Sequence, residues 1–371
     1  MTATNLYIGL MSGTSLDGID AALTSFDGEH PRLLAAYCQP YPDALREELL
    51  TLCRPGEGDP DRLGPMDVAL GRRFATAALE LLTRAAVNPE AVRAIGSHGQ
   101  TIRHRPTGPN PFTWQIADPN IIAQMTGITT VADFRRRDMA VGGEGAPLVP
   151  AFHRAVFTAA QPRVVLNVGG IANITWLPAD SAGAVTGFDT GPGNTLMDAW
   201  VRRHSGQVRD EGGKWAAEGA VVEELLEALL VDPYFSRPPP KSTGREYFDL
   251  AWLDAVLATH RALSPGDVQA TLCELTAATV AGAVHDHCPE AVEVLVCGGG
   301  VHNATLMTRL AARLAPRPVR STITEGIDPD WVEAIAFAWL ARRTLRGLPG
   351  NLPAVTGARQ EVVLGGIYLK G

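Results

Sequence analysis

The sequence predicts an α/β protein with mixed sheets, built as two domains of related design. Short apolar runs ending in glycine alternate with longer stretches of 3.6-residue period, as when strands and helices take turns along a chain. Two strand–glycine–strand units resemble each other and open the two halves of the chain: LYIGLMSGTSLDGIDAAL from Leu6 and RVVLNVGGIANITWL from Arg163. Length supports the division, because 371 residues exceed the ~250–300 at which a single core stops growing.

Strands are expected at residues 6–10, 94–97, 164–168 and 292–297, each apolar and each followed by a glycine turn or polar knot. Helices are expected at 66–86, 221–230, 268–287 and 330–345 from the apolar period. In VLVCGGGVHNATLMTRL a strand meets three glycines and then a helix from about Ala304. Proline-rich stretches at 54–65, 105–111 and 237–240 read as loops.

The composition is 46% hydrophobic and 19% charged, that of an ordinary globular protein. Its net charge of −8, from 32 basic and 40 acidic residues, argues against a nucleic-acid partner. The run Arg135-Arg136-Arg137 is too short to alter that, and three neighbouring arginines cannot all face inward. No signal peptide is evident and no stretch approaches the ~18 apolar residues of a membrane span. The five cysteines are scattered without a C-x-x-C, so reduced, mostly buried thiols and a cytoplasmic location are expected.

Four polar knots carry candidate chemistry. The turn Ser12-Gly13-Thr14-Ser15 offers backbone N–H groups and hydroxyls that suit phosphate oxygens, with Asp17 and Asp20 placed to hold Mg²⁺; the alternative is a hairpin and nothing more. In TGFDTGPGNTLMDAW, Asp189 precedes a rigid Gly-Pro-Gly turn and a helix start near Asn194, which suits a carboxylate meeting substrate or an Asx-turn cap. GSHGQT follows a strand, so His98, Gln100 and Thr101 stand where α/β sheets bind ligands. Arg135 follows a strand-like run and can clamp an anion bidentately. Glu333 sits in the otherwise apolar WVEAIAFAWL, where a carboxylate needs a partner, a polar edge or a site. The run SRPPPKSTGREYF reads equally as a site-side loop or a surface crossing.

Six motifs in one order, GLMSGTSLDGID, SHGQT, FRRRDMAVGGEGAPLVP, NVGGIAN, FDTGPGN and CGGGVHN, resemble the anhydro-N-acetylmuramic acid kinase family over essentially the whole chain. The resemblance implies an actin-like, hexokinase-like architecture, with two RNase-H-like domains around a central nucleotide cleft. On that basis the first domain is expected to hold residues 1–130 plus about 350–371, and the second 131–349. It implies that ATP, water and the anhydrosugar give ADP and N-acetylmuramic acid 6-phosphate, with Mg²⁺ as cofactor, in cell-wall recycling, and that the protein is a homodimer. It assigns Ser12, Gly13, Thr14, Ser15, Leu16, Asp17, Gly18, Ile19 and Asp20 to the first phosphate loop and Asn167, Gly169 and Gly170 to the second. Gly298, Gly299, Gly300 and Asn303 fall on the adenosine side, and Asp189 takes the general-base position. Arg135 and Glu333, with His98, Gln100 and Thr101, are implied to hold the sugar. Met11 and Asn167 replace aspartates common in the wider superfamily, which moves metal and base duties to Asp17, Asp20 and Asp189.

Overall fold

The computed structural model describes residues 5–371 except positions 14, 55, 57, 58, 180–182 and 261. The chain divides into two compact units, Met1–Val156 with Gly326–Gly371, and Phe157–Glu325.

In the first unit, β1 (Leu6–Ser12), β2 (Gly18–Asp27) and β3 (His30–Pro40) form an antiparallel meander. On its other side β1 pairs in parallel with β4 (Val92–Arg105), and β4 with β6 (Thr130–Ala132). β5 (Phe112–Ile116) adds an antiparallel hairpin to the far end of β4. The second unit repeats the order. β7 (Arg163–Val168), β8 (Ile171–Leu177) and β9 (Thr186–Pro192) run antiparallel, and β7 then pairs in parallel with β10 (Glu293–Cys297), which pairs with β11 (Val319–Ser321). Both hairpins read from the sequence are present, one per unit, as the internal resemblance requires. The small β12 (Gly366–Tyr368) returns antiparallel to β6 and closes the edge of the first sheet.

The first core lies between this sheet and the helix Pro60–Ala85, through Ile8, Leu10, Leu70, Phe74 and Leu81. The second is organised by the helix Pro265–His287, buried along most of its length against β8, β9 and neighbouring helices through Val268, Leu272, Leu275 and Val280. Its Ser264 N-cap accepts from the Asp267 N–H, and Pro265 occupies the first turn, where no N–H is needed.

The helix Val332–Leu345 lies directly on the first sheet because two facing glycines leave room for it. Gly9 and Gly96 are register partners on β1 and β4. A Cβ on Gly9 would stand 1.7 Å from the Ala334 carbonyl oxygen, and one on Gly96 2.0 Å from that of Phe337. Backbone therefore packs on backbone, which sets the height of Glu333 above the strand ends.

Two expectations are corrected, and the cysteines are mostly buried as expected. The unit boundaries fall near 156 and 326, not 130 and 350, because the helices after β6 are tied to the C-terminal segment. Phe152 meets Trp339 edge-on at 6.0 Å, and the fully buried Asp138 accepts from Asn351 and Thr356. The stretch 54–65 is only partly loop: Asp59 caps a helix starting at Pro60, and Pro65 is carried inside it. Cys273, Cys288 and Cys297 are buried, but Cys38 is exposed and Cys53 half-buried; none forms a disulfide.

Candidate active site

At the tip between β1 and β2 the expected phosphate loop is narrowed. Ser12 is buried: its hydroxyl lies 2.6 Å from Gln100 Oε1 and 2.9 Å from the Gly18 carbonyl, and accepts from the Tyr41 hydroxyl. Leu16 and Ile19 are core side chains, and Gly18 closes on the Gln39 carbonyl of β3. These four residues build the tip and do not present side chains to a ligand. Gly13 does open outward, since a Cβ there would meet nothing nearer than 3.9 Å; Ser15 is half-exposed, and Thr14 lies outside the described residues.

Asp17 and Asp20 differ. Asp17 is mostly exposed and 3.8 Å from Arg46. Asp20 is half-buried, and burial, with the charges of Asp330 and Asp17, pushes its carboxyl up to about 6 against a hydrogen bond from Cys38. A carboxylate held among other acids fits a hydrated divalent cation arriving with phosphates, which needs only one or two protein carboxylates. Asp20 thus fits better than Asp17, and among the described residues no three His, Cys, Asp or Glu side chains gather into a closed metal cage.

In the second unit the β7–β8 tip is fastened to the start of the helix Thr195–Ser205. Asn194 N–H donates to the Gly169 carbonyl, while Gly193 and Thr195 N–H donate to that of Gly170. The Arg245 guanidinium packs on Gly170, about 3 Å from where a Cβ would stand, which puts a cation at this tip. Asn167 is buried beside Gly298, whose φ of +81° favours glycine and where a Cβ would stand 2.4 Å from Asn167 Oδ1 and 2.9 Å from the Val168 carbonyl oxygen. Gly300 packs on Val168, so of the three glycines only Gly299 opens on free space. Asn303 Oδ1 accepts from the Leu306 N–H, capping the helix Ala304–Leu314, and that oxygen is committed to the fold.

Asp189 is half-buried on β9, opposite Asn173. Its Oδ2 accepts the Thr243 N–H at 3.0 Å, its N–H donates to the Lys241 carbonyl, and its carbonyl accepts the Tyr234 hydroxyl at 2.7 Å. Among the described residues no cation pairs with its carboxylate, so burial raises the acid to about 7 against the one Thr243 bond. A carboxyl near neutrality, held by one oxygen only, is suited to take a proton from water. Thr243 brings the Pro-rich run 236–248 against Asp189.

In the first unit, Arg135 and Glu333 are brought to one place with Asp20. Burial lifts Glu333 to about 7, with Asp20 pushing further up and Arg135 drawing it down. Arg135 donates to the Gly145 carbonyl at 2.8 Å, and Asp138 holds that turn by accepting the Gly145 N–H. Arg136 and Arg137 are exposed, as three adjacent arginines require.

The expected role of His98 is corrected. Its Nδ1 lies 2.9 Å from the Gly99 carbonyl, and its Nε2 accepts from Arg135 Nε and Nη2 at 3.1 and 2.9 Å. Burial and the guanidinium push its pKa down to about 3, so it is a neutral acceptor that aims Arg135. Gln100 is likewise spent on Ser12, and Thr101 Oγ1 accepts from Gln115. Residue-type reasoning did not reach Thr243, which acts through its backbone, nor Tyr234, Lys241 and Asp138, which hold other groups in place.

An antiparallel meander followed by parallel strands is thus built twice, with a glycine-rich hairpin tip each time. The model of the anhydro-N-acetylmuramic acid kinase family matches residues 5–370. A relative of that name from Xanthomonas campestris pv. campestris is 55% identical over 372 residues, covering 99% of this chain and 98% of the relative. Those from Saccharophagus degradans and Coxiella burnetii are each 52% identical, covering 98% of this chain and 99% and 97% of themselves. The chain belongs to the anhydro-N-acetylmuramic acid kinase family, and the activity that membership carries is phosphorylation of that sugar with ATP.

Proposed function

We propose that Asp189 is the general base of a coupled hydrolysis and phosphoryl transfer on 1,6-anhydro-N-acetylmuramic acid. The supporting observation is a carboxyl near neutrality with one oxygen held by Thr243 and, among the described residues, no cation paired with it. Asp189 removes a proton from water as the water oxygen bonds to C1 of the sugar. The C1–O6 bond breaks, and its electron pair forms the bond from O6 to the γ-phosphorus of ATP. The bond from that phosphorus to the β,γ-bridging oxygen breaks in turn, and ADP leaves. Phosphoryl capture of O6 replaces the acid of an ordinary inverting hydrolase.

Arg135, aimed by His98, and Glu333 hold the sugar. The tips around Gly13 and Gly169–Gly170, with the Arg245 cation, bind phosphate, and Gly299 borders the adenosine. When bound, Mg²⁺ neutralises phosphate charge, with Asp20 as its protein carboxylate, directly or through water. The product, N-acetylmuramic acid 6-phosphate, suits cell-wall recycling in the cytoplasm. Among the described residues no helix is long and apolar enough to cross a membrane. A homodimer is part of the same proposal.

The test is an ADP-release assay coupled to NADH oxidation, run with anhydro-N-acetylmuramic acid and a panel of free sugars. Sugar-dependent ADP release is expected with the anhydrosugar and only background with N-acetylmuramic acid, N-acetylglucosamine or glucose. Faster release with any free sugar would sink the substrate assignment.

A further inference from the structure

Lys241 is a buried ammonium outside the chemistry described so far. It is 7% exposed and, among the described residues, forms no ion pair. Desolvation of such a cation is costly unless other groups replace water. Its Nζ donates to the Tyr234 and Phe235 carbonyls at 3.3 and 3.1 Å, and it stands over the Tyr234 ring at 4.9 Å and the Phe188 ring at 5.8 Å. Those two carbonyls belong to the short helix Pro233–Ser236.

The contacts close a circuit around Asp189. Tyr234, from that helix, donates its hydroxyl to the Asp189 carbonyl. The segment carrying Lys241 accepts the Asp189 N–H, and two residues on, Thr243 N–H holds Oδ2. Further along, helix and segment also meet through the Tyr247 hydroxyl, which donates to the Asp232 cap of that helix, and through Phe248, stacked on Phe235 at 5.5 Å; beside Asp189 itself the Lys241 ammonium adds two hydrogen bonds between them.

We infer that Lys241 is a positioning residue for the base: its ammonium ties the Tyr234 helix to the Thr243 segment and so holds the Asp189 carboxylate in one orientation. This rests on Asp189 being the base. Behind the ammonium lies a cavity of about 130 Å³, lined by Thr190, Phe235, Thr279, Asp286 and His287 among others. The charged and titratable groups facing Lys241 are Asp286 from the helix Pro265–His287, Arg237 just past Pro233–Ser236, and the Tyr234 phenol; His287 lines the same cavity.

The experiment compares Lys241→Met, Lys241→Arg, Lys241→Ala and Asp189→Asn by steady-state kinetics across pH. Misplacing a reacting group by about 1 Å can cost ~10²-fold, so Lys241→Met is expected to lose about 10–100-fold in kcat with KM for ATP unchanged. The Thr243 bond favours the charged carboxylate, so loosening it moves the acid limb of kcat to higher pH. Lys241→Arg should restore the limb. Lys241→Ala, whose lost ammonium stood beside the cavity, should regain turnover with added ethylammonium. A wild-type kcat and limb in Lys241→Met, or a uniform loss at every pH with no rescue by arginine or amine, overturns the inference. Wild-type turnover in Asp189→Asn would instead overturn the base assignment, a result distinguishable from either.

Discussion

If Asp189 is the proposed base, replacing it by Asn is expected to lower kcat by at least ~10²–10⁴-fold, the usual contribution of a placed general base, and to make the protein more stable at alkaline pH. Both effects come from the same buried carboxyl. Its acid is raised from the ordinary 3.8 to about 7 by desolvation, so the folded protein holds this proton more tightly than the unfolded chain does. The resulting stability is full below about pH 4 and is lost as pH rises through 7. The native enzyme at pH 8 therefore carries an ionised, poorly solvated group, and each tenfold weakening of the acid by burial costs the fold roughly 1.4 kcal/mol there, before solvent screening. Asn keeps the shape and can still accept the Thr243 N–H but has no charge to desolvate. Thermal melts should show Asp189→Asn above wild type at pH 8, by about 2–4 °C per kcal/mol for a domain of ~150–250 residues, with the gap closing toward pH 4. Wild-type activity should rise with pH through about 7, since the base must be ionised. A variant that is inactive but destabilised at pH 8 would contradict this account of the raised pKa.

Gly9→Val and Gly96→Val are each expected to abolish folding of the first unit. Ordinary overpacking costs ~1–3 kcal/mol because side chains can shift. Here a new Cβ meets the carbonyl oxygens of Ala334 and Phe337 at 1.7 and 2.0 Å, and a helix backbone cannot yield locally. The helix Val332–Leu345 would have to lift off β1 and β4, taking Glu333 and the buried Arg342 with it. Neither variant should give soluble protein with a cooperative melt. Gly64→Ala is the control: a Cβ there meets nothing within 4 Å, and in the helix Pro60–Ala85 it should stabilise by about 0.5–1 kcal/mol. A folded, active Gly9→Val protein would show that the helix is not seated as described.

The two hairpins were legible because a glycine-rich tip between two apolar runs has few other solutions, and the helix Pro265–His287 because its pattern was long. Harder features depended on tertiary contacts. β4 runs on to Arg105 because β5 pairs with its polar end, which local composition did not reveal. The unit boundaries were misplaced because no shift in composition marks residues 156 and 326; the fully buried Asp138 joins its helix to Asn351 and Thr356 across more than 200 residues. Among the candidate residues, Asp189, Arg135 and Glu333 were visible as charges beside turns or in apolar helices. Ser12, Gln100 and His98 looked alike as polar residues at strand ends, yet their side chains turn into the fold and support neighbours. Thr243 contributes only an N–H, a group every non-proline residue has, so no residue-type signal could single it out.

The central claim is that water attacks the anomeric carbon while O6 takes the phosphoryl group. It is tested most directly by turnover of anhydro-N-acetylmuramic acid with ATP in H₂¹⁸O, with product sampled before the anomeric hydroxyl exchanges with solvent. The account predicts one ¹⁸O on C1 of the sugar phosphate and none in its phosphoryl group. Label in the phosphoryl group, or a product without label at C1, would contradict it.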